Sequence, residues 1–184
     1  ASTNKLYTCA AAFHFLKKNH KFRTDVLSNE YNLVLKGGGD PDLSIKELDS
    51  LALEVSKKYK NIDTLFIDDA FLDSLNYGEG WMWDEGPWWY AAPISALSVN
   101  DNCIDFYIKP GSVGKNASID YFPKTSFIKF KNTSMTVQDS ALKKLKIDRN
   151  WVSNKNNFYA YGELIDTSDA VSYTHLRAHE TRFY

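Results

Sequence analysis

Asn32-Leu33-Val34-Leu35-Lys36-Gly37-Gly38-Gly39-Asp40-Pro41, continued by Asp42-Leu43-Ser44-Ile45-Lys46-Glu47-Leu48, is the stretch on which the fold class turns. It opens with a short aliphatic and β-branched run, the composition of a strand. Three glycines and an Asp-Pro pair then break the chain, because neither helix nor strand tolerates such a density of breakers. Beyond the break the hydrophobic period changes. Ser44 can cap a helix, Glu47 three residues on completes a capping box, and Leu48, Leu51 and Val55 share one face. A surface-packed helix is therefore predicted over Leu43 to Tyr59.

Upstream, Phe22 to Leu27 and Tyr31 to Leu35 mix β-branched and aromatic residues around Ser28-Asn29-Glu30, which predicts a hairpin. Earlier still, Leu6, Cys9, Ala10, Phe13 and Leu16 recur at three- and four-residue steps. That period predicts a helix from Thr3 to about Lys18, capped by Ser2 or Thr3 and burying one face. Downstream, Ile62 to Ile67 reads as a buried strand, and Trp81 to Tyr90 holds four of the five tryptophans. From Cys103 to about Leu164 short alternating segments dominate: Ile104 to Ile108, Ser118 to Phe122, Phe127 to Phe130 and Asn157 to Tyr161. This half is predicted to be β-rich. No repeat of fixed period and no low-complexity linker interrupts it.

Composition bounds the class. With 43% hydrophobic and 24% charged residues, the chain of 184 residues can bury enough apolar surface to be globular. The formal charge of −1 supplies no overall field for nucleic acid or an anionic membrane, and no nucleic-acid partner is expected. Cys9 and Cys103 support neither a disulfide framework nor a metal cluster. No apolar run is long enough to span a bilayer, and no signal peptide is evident in a chain that starts at Ala1.

Ser2-Thr3-Asn4-Lys5 fits the pattern Ser-x-x-Lys at the opening of the predicted helix, where residues three apart share a face, the spacing of a nucleophile and its base. A serine hydroxyl is a weak nucleophile and needs a neighbour to take its proton as it attacks a carbonyl. A lysine can do so only when neutral, a state promoted by burial and nearby positive charge. By itself the tetrad is also what a capping serine followed by a solvated lysine looks like.

Its context is more specific. Ala1 to Ala12 resembles the active-site helix of the S13 family of serine D-alanyl-D-alanine carboxypeptidases, low-molecular-weight penicillin-binding proteins. Further likenesses follow in family order: Asn32 to Pro41 for a strand and Gly-Asp-Pro turn, and Ile67-Asp68-Asp69-Ala70-Phe71 for an Asp-Asp-x-x-Phe segment. Gly80-Trp81-Met82-Trp83-Asp84 is similar to a Trp-x-Trp signature, and Tyr90 to Leu97 to Ala-Pro-x-Ser-Ala-Leu. The resemblance implies an α+β chain: an active-site helix of a transpeptidase/β-lactamase-like domain in residues 1–22, then an incomplete, β-rich inserted domain in residues 23–166. Residues 167–184, with Ser172-Tyr173-Thr174-His175-Leu176-Arg177, break the style of the rest, resemble sequencing-adapter read-through, and are set aside as an artefactual tail.

The family carries two further catalytic elements, Ser-x-Asn and Lys-Thr-Gly. Ser98-Val99-Asn100 fits the first literally but directly follows the Ala-Pro-x-Ser-Ala-Leu signature of the insert, so it is rejected, and the true element is expected beyond the end of this chain. Lys124-Thr125-Ser126 is only a partial echo of the second. The resemblance implies Ser2 as nucleophile and Lys5 as base, acting on peptidoglycan stem peptides through an acyl-enzyme. β-Lactam antibiotics would acylate the same serine, and this chain would be inactive for want of the partner motifs. It also implies that Trp81, Trp83, Asp84, Glu85 and Tyr90 border the cleft, an acidic group meeting the peptide's ammonium and aromatic rings holding its aliphatic stem. The rings would equally serve as a mini-core of the insert. Location is expected outside the cytoplasmic membrane. A non-catalytic peptidoglycan-binding module is the alternative; a β-lactamase shares Ser-x-x-Lys but has no place for the insert signatures.

Other constellations are weaker. Gly37-Gly38-Gly39 lacks the spacing of a phosphate loop and reads as a turn needing positive φ. His175 and His179 have helical zinc-ligand spacing but fall in the tail, so no metal and no cofactor is expected. Asn116-Ala117-Ser118 and Asn132-Thr133-Ser134 are incidental sequons, and His14 lies off the core face of the first helix.

Overall fold

The computed structural model describes residues 3–29, 31–73, 80, 88–150 and 155–177, the last seven by their backbone. Helix α1 spans Asn4–Phe15, strands β1 and β2 span Thr24–Asn29 and Asn32–Gly37, helix α2 spans Ile45–Lys58, and β3 spans Thr64–Asp68. β1 and β2 form the expected hairpin, each strand ending two residues later than its composition suggests, with Asn29 opposite Asn32. β3 joins β2 in parallel, Leu33 beside Leu65 and Lys36 beside Asp68, with α2 as the crossover between them.

The start of α2 is set by its own sequence. The Glu47 N–H donates to Ser44 Oγ at 3.2 Å, while Glu47 Oε2 accepts from the Ser44 N–H and hydroxyl, both at 2.8 Å. Those two bonds, the backbone one first, hold the Glu47 carboxyl below its ordinary pKa. Leu48, Leu51 and Val55 are half-buried and no residue of α2 is fully buried, as a surface-packed helix requires.

Two expectations of burial fail. α1 has no buried residue; Leu6, Tyr7, Phe13 and Phe15 are exposed, Phe13 at 89%. Periodicity marks the side of a helix on which apolar residues gather, but burial needs another element against that side. Nor does a side chain cap it: Thr3 occupies the N-cap position with helical dihedrals and no side-chain bond. β3, expected to be buried, is an edge strand with Leu65, Phe66 and Ile67 exposed at 55, 53 and 52%. An apolar run favours extended structure, while its place at the centre or edge of a sheet depends on distant partners.

The β-rich half holds the core. β4 (Cys103–Lys109) and β5 (Ser118–Phe122) are antiparallel, with Phe106 opposite Tyr121. β6 (Lys129–Asn132), β7 (Met135–Val137), β8 (Lys146–Arg149), β9 (Asn157–Tyr161) and β10 (Glu163–Ile165) follow. They make a β6-β9-β8 sheet and a parallel β7–β10 pair. Alternation along β4 sends Ile104, Phe106 and Ile108 inward, where Phe106 meets Phe158 at 5.6 Å and Phe130 at 5.3 Å between ring centres. Each fully buried Phe contributes about 1.5–3 kcal/mol. Ile119 and Ile147 pack against both this cluster and Ile108, Ala117 and Leu145, joining the two. β11 (Val171–Arg177) lies within the segment set apart by its sequence style; its backbone pairs antiparallel with β4, Val171 opposite Ile108.

A polar clamp closes the turn between β4 and β5. The Gly111 N–H donates to Thr136 Oγ1 at 2.9 Å, and the Ala117 N–H to Ser134 Oγ at 3.1 Å. Thr136 and Ser134 are both buried, so these bonds satisfy side chains that would otherwise be costly to desolvate.

Candidate active site

Lys5 is the second residue of α1 and is exposed; Ser2 lies outside the described residues. The first turn is held by main-chain and side-chain bonds, Leu6 N–H to Thr3 O at 3.1 Å and Thr8 Oγ1 to Asn4 O at 3.2 Å. The lysine therefore sits on a formed helical turn, one turn beyond the position of the serine in the sequence.

Of the five residues expected to border the cleft, Tyr90 is described, while Trp81, Trp83, Asp84 and Glu85 lie outside the described residues. Tyr90 stands on a 3-10 turn, Trp89–Ala91, with its ring 54% exposed. Trp88 and Tyr90 rings lie within 4° of parallel at 6.3 Å, and Trp89 meets Tyr90 edge-on at 6.1 Å. Three adjacent aromatic side chains, each about half exposed, form a wall and not a sealed core.

The chain then descends. Ala91, Pro93 and Ala96 are buried, and Ala96 O accepts from the Gly39 N–H at 2.8 Å. The aromatic wall is thereby seated on the glycine turn after β2. A Cβ on Gly37 would stand 2.3 Å from Ala96 O, and one on Gly38 2.2 Å from Arg23 O. Only Gly39, at φ +76°, needs the left-handed region. The expectation of a positive-φ turn thus holds for one glycine of three; the other two are required by the close approach of backbone.

Ser98-Val99-Asn100 has a structural occupation. Asn100 Oδ1 accepts from the Ile45 N–H at 3.0 Å, one of the donors that the start of α2 leaves unpaired, and its own N–H donates to Leu43 O at 2.9 Å. Ser98 Oγ donates to Ser95 O and accepts from Asn102 Nδ2. Asn100, Asp101 and Asn102 all have positive φ, 48, 55 and 54°, which Asn and Asp tolerate best among non-glycine residues. Lys124-Thr125-Ser126 is likewise local: Lys124 pairs with Asp120, and Thr125 Oγ1 accepts from the Phe127 N–H.

The remaining candidates resolve similarly. Asn116 and Asn132 of the sequons clamp the β4–β5 turn, Asn116 Nδ2 donating to Asn132 O at 2.9 Å and Asn132 Nδ2 to Ala117 O at 2.8 Å. His175 is on strand β11, where helical i, i+4 geometry does not exist, and His179 is outside the described residues. Among the described residues no three His, Cys, Asp or Glu side chains gather as metal ligands. His14 is exposed, its ring edge-on to Phe15.

Asp68 belongs to the Ile67 to Phe71 stretch that resembles the Asp-Asp-x-x-Phe segment. It ends β3 at the carboxyl edge of the parallel β2–β3 pair, with Oδ1 accepting from the Ala70 N–H at 3.0 Å and Oδ2 4.0 Å from Lys36 Nζ. Open sheets tend to place ligands at that edge of parallel strands, and the register that puts Lys36 beside Asp68 is a long-range feature.

Known proteins place the chain among similar ones. The D-Ala-D-Ala carboxypeptidase 3 (S13) family matches residues 1–181. A D-alanyl-D-alanine carboxypeptidase of Actinomadura sp. (strain R39) is 30% identical over 96% of the chain and 35% of its own length. D-alanyl-D-alanine carboxypeptidase DacB of Haemophilus influenzae is 33% identical over 62% of the chain and 27% of its own. The crystal structure of penicillin binding protein 4 (dacB) from Haemophilus influenzae superposes with a TM-score of 0.79 at 25% identity, covering 96% of the chain and 41% of that structure. The chain thus spans about a third of the length of these curated relatives.

Proposed function

Because the chain belongs to the D-Ala-D-Ala carboxypeptidase 3 (S13) family, we propose that its parent enzyme removes the terminal D-alanine of peptidoglycan stem peptides with Ser2 as nucleophile and Lys5 as general base. The family match across residues 1–181, with Ser2 three residues before Lys5 of α1 in the sequence, is the observation that supports this reading. Ser2 Oγ would attack the penultimate D-alanine carbonyl as its proton passes to Lys5. Collapse of the tetrahedral oxyanion would break the C–N bond, the proton going to the leaving amine, and water would then hydrolyse the serine ester. β-Lactams would stop at the acyl stage. Such chemistry belongs outside the cytoplasmic membrane, where peptidoglycan is; among the described residues no helix is long and apolar enough to cross a membrane.

Residues 1–22 would belong to the catalytic domain and residues 23–166 to an inserted lobe whose wall, with Trp81, Trp83, Asp84, Glu85 and Tyr90, faces the stem peptide. The 184 residues alone should not turn over substrate. Asn100 is engaged in holding the start of α2, Ser98 is bonded to Ser95 and Asn102 within its own loop, no Lys-Thr-Gly occurs, and Lys5 is exposed.

Intact mass after incubation with a fluorescent penicillin tests the proposal. The 184-residue chain should stay unmodified, while a longer polypeptide in the same reading frame, supplying Ser-x-Asn and Lys-Thr-Gly, should gain one penicilloyl group that Ser2→Ala abolishes. An adduct mapped to another serine would sink the assignment. The silent alternative, a peptidoglycan-binding module, is favoured if the longer polypeptide retains muropeptides yet never acylates.

A further inference from the structure

Asn100, Asp101 and Asn102 form a left-handed turn, with φ of 48, 55 and 54°, immediately before β4 enters the core at Cys103 and Ile104. Single left-handed residues are ordinary at Asn and Asp, whereas three in succession are costly and persist only where the surroundings over-determine them. Both asparagine side chains are bonded to distant parts of the chain. Asn100 Oδ1 accepts from the Ile45 N–H at the start of α2. Asn102 reaches back the other way: its Nδ2 donates to Pro93 O at 3.2 Å and to Ser98 Oγ at 3.0 Å, and Ser98 Oγ in turn donates to Ser95 O at 3.2 Å. The Asn102 N–H closes the turn on Val99 O at 3.0 Å.

The residue type at this position is informative. Glycine would take positive φ more easily and aspartate about as well, but of the three only asparagine supplies two amide hydrogens. Asn102 uses both. Pro93 is buried, its carbonyl lies three residues beyond Tyr90, and the fixed φ of proline leaves the chain between them little play. The 3-10 turn that carries Tyr90 is closed by the Ala91 N–H on Trp88 O at 3.0 Å and the Ala92 N–H on Trp89 O at 3.3 Å. Asn102 therefore ties the foot of the aromatic wall to the same turn that Asn100 ties to α2. The Gly39 bond to Ala96 O lies three residues beyond Pro93, so Asn102 holds a point nearer the rings.

We infer that Asn102 is a positioning residue for stem-peptide recognition: through Pro93 it sets where Tyr90 and the neighbouring rings stand, and so sets affinity for the stem without entering acyl transfer. The inference rests on the reading that the wall with Tyr90 faces the stem peptide. A ligand too short to reach the wall is then indifferent to Asn102, and one that carries the stem is not.

The longer polypeptide in the same reading frame tests this with a stem pentapeptide ending in D-Ala-D-Ala, with N-acetyl-D-Ala-D-Ala, and with the rate of acylation by benzylpenicillin. Asn102→Gly keeps positive φ accessible and removes both donors. It should raise KM for the pentapeptide about threefold to thirtyfold. Its kcat on that peptide, its kcat/KM on the dipeptide and its penicillin rate should stay within about twofold of the parent. Asn102→Asp, which keeps the side-chain shape but loses the donors, should do the same. A pentapeptide KM unmoved in both variants, with Ser2 acylated normally, would overturn the inference. So would an equal loss on pentapeptide, dipeptide and penicillin, the result of a general loss of folded protein. An unsubstituted polypeptide that takes up no penicillin would instead refute the proposed chemistry, and this inference with it.

Discussion

Replacing Gly37 by alanine probes the junction that seats the aromatic wall. The added Cβ would stand 2.3 Å from Ala96 O, 2.5 Å from Ala96 C and 2.7 Å from Leu97 N, all of them backbone atoms with no rotamer to yield. Overpacking of this kind costs about 1–3 kcal/mol. The displaced carbonyl is the acceptor for the Gly39 N–H at 2.8 Å, and weakening that bond adds about 1 kcal/mol. Lower entropy of the unfolded chain returns about 0.4–1 kcal/mol, leaving a net loss of about 1–3 kcal/mol. Urea unfolding followed by tryptophan fluorescence should show a lower midpoint with an unchanged slope. Gly114→Ala is the control: at φ +79° and with nothing within 4 Å of its added Cβ, it bears only a conformational cost of about 1 kcal/mol. A Gly37→Ala midpoint within about 0.5 kcal/mol of the parent would refute the close-approach reading.

In the longer polypeptide Ser98→Ala should leave the rate of penicillin acylation unchanged, while Asn100→Ala should lower stability by about 1–2 kcal/mol through loss of the acceptor for the Ile45 N–H, as read by thermal unfolding. The Glu47 carboxyl has a folded pKa below its unfolded one, so its contribution is present above the ordinary glutamate range and lost as pH falls through the folded value. Helix content by circular dichroism should therefore fall with pH in the acid range, and less so in Glu47→Gln. Phe158→Ala, at a fully buried position in the ring cluster, should destabilise by about 3–5 kcal/mol in the same urea assay.

What proved legible in the sequence was local. Ser44 and Glu47 lie three residues apart and recognise each other whatever surrounds them, so the capping box and α2 were readable from spacing. Alternation placed Ile104, Phe106 and Ile108 on the inward face of β4 for the same reason. Burial of β3 and α1 is not legible in the sequence, because apolar composition is shared by central and edge strands, and by packed and unpacked helices. Gly37 and Gly38 looked like turn glycines; their actual constraint comes from Ala96 and Arg23, which no spacing rule brings to them.

By itself the sequence determined the α+β character, the start of α2, the inward face of β4 and the family signatures, because each rests on residues a few positions apart. Only the tertiary structure decided that β3 is an exposed edge, that Asn100 completes the start of α2, and that Asp68 faces Lys36 across a parallel register. Those outcomes depend on which distant segment approaches, and that is settled by packing the whole chain at once.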